Sequence, residues 1–169
     1  PQSQPSWAVE AFVNRGAGHF TDQTSSIFPG GVPMVNANYA VVADFNGDGR
    51  MDVFFANHSD GAPYGMVQNN LVLSQGASTF VDATLNLPQV EDSTHAAAAA
   101  DVDGDGDIDI LECNLGNSDL NSPYRGPTLE LNDGSGHFSR AAEGSIESYV
   151  GRDDNLFTSA VFLDVDNDG

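Results

Sequence analysis

The sequence predicts an all-β protein built from repeated units of four short antiparallel strands, and three observations support this fold class. An acidic motif and a glycine-containing turn both recur with a period of about 60 residues. Between them lie short segments that favour β-structure, bounded by Gly, Pro, Asn and Asp. Four short strands per repeat are typical of β-propeller blades, and at about 60 residues per blade the 169 residues hold about 2.8 blades, an incomplete propeller.

The acidic motif occurs three times. It reads Asp-Phe-Asn-Gly-Asp-Gly-Arg-Met-Asp from Asp44, Asp-Val-Asp-Gly-Asp-Gly-Asp-Ile-Asp from Asp101, and Asp-Val-Asp-Asn-Asp-Gly from Asp164. The first aspartates of these motifs lie 57 and then 63 residues apart. The spacing is close enough to one period to indicate equivalent positions in successive repeats.

The second motif is a turn that ends in phenylalanine. It begins at Asn14, Ser74 and Asn132, and its phenylalanines lie 60 and then 58 residues apart. Two different motifs that share one period indicate a true internal repeat. Ser74 replaces the asparagine of the other two turns, which leaves the side-chain bond of that turn open.

The strands are predicted from the segments around these motifs. Residues 39–43 and 96–100 lead into the acidic motifs, 52–56 and 109–113 leave them, and 71–74 and 128–131 precede the turns. The alanines of 96–100 favour helix by propensity. The equivalent residues 40–43 contain two valines, so we expect a strand in both repeats.

The charge balance excludes several classes of partner. Asp and Glu number 25 against 5 Lys plus Arg, which gives a net charge of −20. Nucleic acid binding needs a cationic surface that displaces phosphate counterions, so no nucleic acid partner is expected. No apolar run approaches the roughly 18 residues of a membrane helix, so no membrane insertion is expected either.

The acidic motifs have the donor pattern of calcium loops. Oxygen side chains at motif positions 1, 3, 5 and 9 would repel one another without a cation between them, and hard oxygen donors favour Ca²⁺. The predicted ligands are Asp44, Asn46, Asp48, Asp52 and the Arg50 carbonyl in the first loop; Asp101, Asp103, Asp105, Asp109 and the Asp107 carbonyl in the second; and Asp164, Asp166 and Asp168 in the third. The second loop has four carboxylates against three in the first, so we expect tighter binding there.

An EF-hand or dockerin-like loop is the competing interpretation, because residues 101–112 fit the twelve-residue pattern that ends in Glu. Phe55 occupies that last position in the first loop, where a bidentate carboxylate is needed. The residues after both loops alternate as strands, and the period is long for paired helix–loop–helix units. These observations favour a loop between two strands.

The loop Asp-x-Asp/Asn-x-Asp-Gly-x-x-Asp running into a strand, together with the turn Asn-x-Gly-x-Gly-x-Phe, resembles the FG-GAP/VCBS repeat of integrin α-subunits and many secreted bacterial proteins. The resemblance covers nearly the whole chain. It implies a calcium-binding β-propeller whose metal loops join neighbouring strands within a blade. Because such blades serve adhesion, carbohydrate binding, scaffolding and some enzymes, the resemblance is more informative about fold and metal than about function.

The repeat boundaries divide the chain into four parts. We expect the end of one blade at 7–24, whole blades at 39–84 and 95–142, and the start of a further blade at 158–169. Closed propellers use about 4–8 blades. The chain is therefore expected either to be a fragment of a longer protein or to associate with other chains through exposed blade edges.

A few residues outside the loops are candidates for other roles. His95 lies at the start of a strand expected to line the channel, where it either contacts a ligand or caps a turn. Asn57-His58-Ser59 forms an N-glycosylation acceptor triplet if a eukaryote secretes the chain. Cys113 is the single cysteine, which excludes an internal disulfide, and we expect it to be buried.

These observations lead to one principal function and two alternatives. The principal interpretation is a secreted, calcium-stabilised module at the cell surface or outside the cell, which binds a protein or glycan or serves a structural role without catalysis. One alternative is part of a larger propeller enzyme that acts on carbohydrate, as a lyase or dehydratase. The other is a protein that assembles with itself into a surface structure or filament.

Overall fold

The computed structural model of the chain describes residues 7–34, 36–58, 67–114, 126–142, 145–146 and 158–165, and only the backbone of residues 7 and 8. The strands in chain order are β1 Trp7–Ala8, β2 Phe12–Asn14, β3 Phe20–Asp22, β4 Pro33–Met34, β5 Ala37–Ala43, β6 Asp52–Asn57, β7 Val67–Gln68, β8 Asn70–Gln75, β9 Thr79–Asp82, β10 Glu91–Asp92, β11 Thr94–Ala100, β12 Asp109–Asn114, β13 Pro127–Asn132 and β14 Phe138–Arg140. Two short helical turns, α1 Thr24–Ile27 and the 3-10 turn Thr84–Asn86, follow β3 and β9.

Two four-stranded antiparallel sheets dominate the described structure. The first, here called blade A, has the strand order β5-β6-β8-β9, and the second, blade B, has the order β11-β12-β13-β14. Their registers correspond: Ala43 pairs with Asp52 in blade A, and Ala100 pairs with Asp109 in blade B. Both first strands also contain a register shift near their beginning. The predicted all-β fold with blades of four antiparallel strands is confirmed.

Shorter strand pairs accompany the blades. The hairpin β2–β3 pairs Phe12 with Asp22 and occupies the same place in the repeat as β8–β9 and β13–β14. There are two further strand pairs, β1–β4 and β7–β10. In each pair, one strand (β1 or β7) precedes a hairpin, and the other (β4 or β10) precedes the first strand of a blade. Among the described residues, no helix is long and apolar enough to cross a membrane.

The main core lies where blade A packs against blade B, with β5 close to β11. Phe45 and Phe138 meet edge to face with ring centroids 5.7 Å apart, so the second residue of the first acidic loop fills a site on blade B. The buried members of this core are Phe45, Phe54, Ala56, Leu71, Leu87, Ala97, Ile110 and Phe138.

The alanine-rich segment is a strand, as predicted. β11 pairs with β12 from Ala96 to Ala100, and Ala96 and Ala97 are buried. Small side chains allow β11 to approach β5 closely. Tertiary pairing therefore outweighs the helix propensity of alanine at this position.

The start of a further blade stays a prediction. Residues 158–165 carry no assigned strand, and most of their side chains are exposed. Asp164 belongs to this segment, whereas Asp166 and Asp168 lie outside the described residues.

Candidate metal centre

Both described acidic loops connect the first two strands of a blade. The first spans 44–51 between β5 and β6, and the second spans 101–108 between β11 and β12. Gly49 and Gly106, at position 6 of the two loops, have φ angles of 81° and 99°. Glycine adopts these angles without the strain that a Cβ atom causes, which explains why it occupies this position in both loops.

The second loop brings three carboxylates together. One ligand oxygen from each of Asp101, Asp103 and Asp109 lies within 4.8 Å of the others. Asp109 is fully buried, whereas Asp101 and Asp103 are exposed. Three convergent carboxylate oxygens at the mouth of a hairpin form a donor set that a hard divalent cation fits.

Backbone N–H groups fix the outer two members of this group. Asp101 accepts hydrogen bonds from the amides of Gly104 at 2.8 Å and Gly106 at 3.0 Å. Asp109 accepts from the amides of Val102 at 3.0 Å and Asn132 at 2.8 Å. Positions 1 and 9 are therefore preorganised by the fold, since each carboxylate is already oriented by two donors.

The first loop repeats this arrangement. Asp44 accepts from the amides of Asp48 at 3.1 Å and Gly49 at 2.7 Å. Asp52 is fully buried and accepts from the amides of Phe45 at 2.9 Å and Ser74 at 2.7 Å. Three of the four donors stand at matching positions in the two loops. The fourth differs, because Asp44 accepts from position 5 and Asp101 accepts from position 4, so the two loops are braced in a similar but not identical way.

The two loops have the same hydrogen bond between positions 5 and 7 but differ in the charge of the side chain at position 7. In the second loop, Asp105 accepts a hydrogen bond from the amide of Asp107 at 3.0 Å and stands outside the group of three converging carboxylates. In the first loop, Asp48 accepts from the amide of Arg50 at 2.9 Å and also pairs with the Arg50 guanidinium. Sequence reasoning assigned Arg50 only a carbonyl role and missed this ion pair, which its charge two residues from Asp48 could have indicated.

The second loop carries uncompensated negative charge. Burial raises the pKa of Asp109, and the two amides that it accepts from partly offset this effect. Desolvation raises the pKa of Asp107 as well, followed by repulsion from Asp105 and Asp101. A divalent cation among these groups would relieve the repulsion, so the electrostatics agree with the donor chemistry.

Asn132 links the two loops to each other. Its side-chain amide donates to the carbonyls of Phe45 at 2.8 Å and Ile108 at 3.0 Å, and its Oδ1 accepts from the amide of Gly134 at 3.2 Å. Phe45 belongs to the first loop and Ile108 to the second. The turn motif of blade B therefore braces both loops. Ser74 Oγ, at the equivalent place in blade A, is buried without a hydrogen-bond partner among the described residues.

Two further candidate residues, His95 and Cys113, lie outside the acidic loops. The His95 ring contacts His58 with centroids 5.3 Å apart, and the His95 carbonyl accepts from the Asn38 side chain at 3.0 Å. Cys113 is buried, as expected, and burial raises its thiol pKa. Neither residue joins the acidic loops.

Asn57 is a poor glycosylation acceptor in the folded chain. It is 1% exposed, and its side-chain nitrogen donates to the Gln68 carbonyl at 2.6 Å and to Asn70 Oδ1 at 2.7 Å. Both amide hydrogens are therefore used inside the protein. Attachment of a glycan would require this part of the blade to open.

The fold and the loops define a class of protein: a repeat protein of antiparallel four-stranded blades, each with an acidic hairpin loop. The family model for the FG-GAP-like repeat matches residues 3–55 and 44–112, and the chain belongs to that family. A search of curated proteins and a search of solved structures each found no match. The resemblance inferred from the acidic loops and the turn motif is thereby confirmed.

Proposed function

We propose that the chain is a calcium-binding β-propeller-type module that works outside the cell, where it binds a partner or serves a structural role without catalysing a reaction. The observation that carries the proposal is the convergence of Asp101, Asp103 and Asp109 oxygens within 4.8 Å. The same backbone bracing in the first loop supports a second site.

The chain's own residues would hold the metal as follows. Asp101 and Asp109 are fixed by backbone amides and would bind with little further ordering, and Asp103 would supply a third carboxylate oxygen. Asp44 and Asp52 occupy these outer positions in the first loop. Bound calcium would supply the positive charge that each loop lacks. Metal binding would then contribute directly to folding free energy.

The extracellular location rests on the ligand chemistry and on the family. Calcium sites of extracellular modules commonly have modest affinities, which suit the high calcium concentration outside cells. FG-GAP repeats are typical of extracellular proteins. The net charge of −20 also causes self-repulsion, which is smaller where calcium is plentiful.

The proposed partner is a protein or a glycan. The calcium loops occupy one end of each blade, and the connections that follow Asn57 and Asn114 leave from the opposite end because β5–β6 and β11–β12 are antiparallel hairpins. Those connections contain Gly, Pro, Asn, Ser and Tyr. Such loops commonly carry binding specificity on a rigid scaffold.

Thermal unfolding and molecular mass, measured with calcium and then with EGTA, test the proposal. Calcium at about 100 times its Kd adds about 2.7 kcal/mol per site, which raises Tm by about 5–10 °C. The double variant Asp44→Asn/Asp101→Asn should lose most of this response. Glu91→Gln removes an exposed carboxylate outside the loops and should keep it.

The mass distinguishes the two structural roles. A mass of 17.8 kDa with a calcium response supports a monomeric module, whereas a much larger mass supports edge-to-edge assembly. If neither Tm nor mass changes with calcium, the proposed metal function is wrong.

A further inference from the structure

A buried cluster of charged side chains lies at the junction of the two blades, outside the calcium loops. It consists of Asp92 on β10, Glu112 on β12, Glu130 on β13 and Arg140 on β14. Asp92 and Glu130 are 1% exposed and Glu112 is 4% exposed. We call these four residues the junction cluster.

One guanidinium serves three carboxyl groups in the junction cluster. Arg140 Nη2 lies 2.6 Å from Glu130 Oε1, 3.3 Å from Glu112 Oε2 and 3.9 Å from Asp92 Oδ2. If every carboxyl were ionised, the cluster would hold two uncompensated negative charges in the interior. Burial of unpaired charge is costly, and a carboxyl group avoids that cost by keeping its proton.

The repeat provides an internal comparison. Glu112 and Glu130 occupy the positions of Phe55 and Val72 in blade A, as the paired registers Ile110–Glu130 and Val53–Val72 show. Val72 belongs to an apolar cluster in which Phe55 is also packed. An apolar junction is therefore sufficient for this fold, and the charged one in blade B is an added feature.

The hydrogen bonds of the cluster reach back to blade A. Asn69, which precedes β8, donates from Nδ2 to Glu112 Oε1 and to Thr94 Oγ1, both at 2.8 Å. Its Oδ1 accepts from the amide of Asn57 at 2.8 Å, which fixes the orientation of the side chain. The cluster thus connects the two blades directly.

The single hydroxyl hydrogen of Thr94 has two oxygen atoms within reach. Thr94 Oγ1 already accepts from Asn69, and it lies 2.8 Å from Asn114 Oδ1 and 2.9 Å from Asp92 Oδ1. Asn114 Nδ2 donates to Thr128, whose hydroxyl in turn donates to Glu112, so Asn114 Oδ1 faces Thr94. A threonine hydroxyl has one hydrogen, and Asn114 Oδ1 needs it. The close contact with Asp92 Oδ1 is then a hydrogen bond only if Asp92 supplies the hydrogen.

We propose that the junction cluster holds a proton at neutral pH, on Asp92, and that its loss at alkaline pH weakens the contact between the two blades. This inference concerns residues outside the calcium loops and does not depend on the proposed function. Asp92 Oδ2 has no hydrogen-bond partner among the described residues, which suits the carbonyl end of a neutral carboxyl better than a carboxylate oxygen.

The electrostatics of the cluster act in the same direction. Burial, followed by repulsion from Glu112, raises the pKa of Asp92 to about 8 and that of Glu130 to about 7, although Arg140 opposes both shifts and Thr94 opposes that of Asp92. Burial also raises the pKa of Glu112, although Arg140 opposes the shift. The adjacent Cys113 thiol is likewise kept neutral, because burial and Glu112 raise its pKa. On β11, the ring of His95 faces His58.

The sign of the pH dependence follows from these shifts. A carboxyl group whose pKa is higher in the folded chain binds a proton that the unfolded chain has already released. Its contribution to stability is complete below the unfolded pKa of about 4 and is lost as pH rises through the folded pKa. For Asp92 the window of loss therefore extends from about pH 4 to about pH 8.

The experiment compares the unfolding equilibrium of the wild type and Asp92→Asn from pH about 6 to about 9 at saturating calcium. The amide of the variant donates permanently to Thr94 Oγ1, as the protonated carboxyl would. The ratio of the wild-type to the variant unfolding constant should rise about ten- to hundredfold between pH about 6 and about 8, and then level off. Glu10→Gln, which removes an exposed carboxylate, should keep the wild-type slope.

A second measurement needs no variant. In the wild type, the ¹³C chemical shift of the Asp92 carboxyl should have its protonated value at pH about 6 and should titrate well above that of an ordinary aspartate. A constant ratio of unfolding constants across the range would overturn the proposal. A carboxylate shift for Asp92 at pH about 6 would overturn it too, including in the case where Asp92→Asn fails to fold.

Discussion

The aspartate at position 9 of each loop stabilises the fold before any metal binds. Asp52 and Asp109 are buried, and each accepts one amide from its own loop and one from the third strand of its blade. A buried carboxylate with two charge-assisted hydrogen bonds ties the hairpin to the sheet. These residues therefore couple loop closure to the metal site.

Gly134, in the turn between β13 and β14, is required by two separate constraints. Its φ is +77°, and a Cβ at this position would clash with the Asp107 carboxylate. Gly134→Ala should destabilise the chain by somewhat more than the about 1–2 kcal/mol of backbone strain, because the Asp107 carboxylate must also move aside. Denaturant unfolding measures this change.

Gly76→Ala is the matched control for Gly134→Ala. Gly76 occupies the equivalent turn of blade A with φ +65°, and a Cβ there would meet no atom within 4 Å. It should cost only the backbone strain, about 1–2 kcal/mol. Equal losses of stability in the two variants would show that the contact with Asp107 is unimportant.

At the scale of the element, the two acidic loops have similar backbone conformations and differ in charge. The second loop has Asp107 where the first has Arg50, whose guanidinium pairs with Asp48. A cation already close to a predicted ligand competes with calcium. The structure thus adds a second reason, besides the number of carboxylates, to expect weaker binding in the first loop.

Calorimetric titration of calcium tests this difference between the loops. We expect two sites of unequal affinity, and Asp101→Asn should remove the tighter one. Arg50→Ala should strengthen the weaker site by a few-fold, because an exposed ion pair contributes little more than about 1 kcal/mol. Arg15→Ala removes the same charge from a turn outside the loops and should leave both affinities nearly unchanged. If Asp101→Asn and Arg50→Ala each changed the affinity of both sites by the same factor, the assignment of the tighter site to the second loop would be wrong.

At the scale of the whole molecule, self-repulsion of the acidic surface opposes folding. The net charge is −20, and two bound calcium ions would reduce it to −16. Salt shortens the Debye length from about 30 Å at 0.01 M to about 10 Å at 0.1 M. In EGTA, therefore, Tm should rise with sodium chloride over this range, and the rise should be smaller at saturating calcium.

Differential scanning calorimetry at several salt concentrations measures this effect. Sodium sulfate at matched ionic strength controls for effects specific to the anion. A Tm that is independent of salt in EGTA would show that the repulsion is already balanced within the fold.

Much of the blade could be predicted from the sequence because the signals are local. Strand segments, the glycine at loop position 6 and the spacing of the acidic side chains all reflect neighbours within about ten residues. Asp101, Asp103 and Asp109 meet because one short hairpin carries them. The period of the motifs then extended this local information to a whole architecture.

The junction cluster was not predicted, although the sequence contained one signal for it. Aligning the repeats places Glu112 and Glu130 against Phe55 and Val72, an exchange of apolar for charged residues at paired positions. That exchange marks a difference between blades. It does not show that Arg140 and Asp92, which lie 48 positions apart in the sequence, complete the cluster.

The sequence by itself determined the repeat, the type of strand unit, the family and the candidate calcium ligands, since these depend on residue type and short spacing. Only the tertiary structure decided which side chains from different strands share one interior. It placed Asn132 between the two loops and set three carboxyl groups around the single guanidinium of Arg140. The physical reason is that the burial of a charge, and hence its proton, depends on the packing of distant elements rather than on its neighbours in sequence.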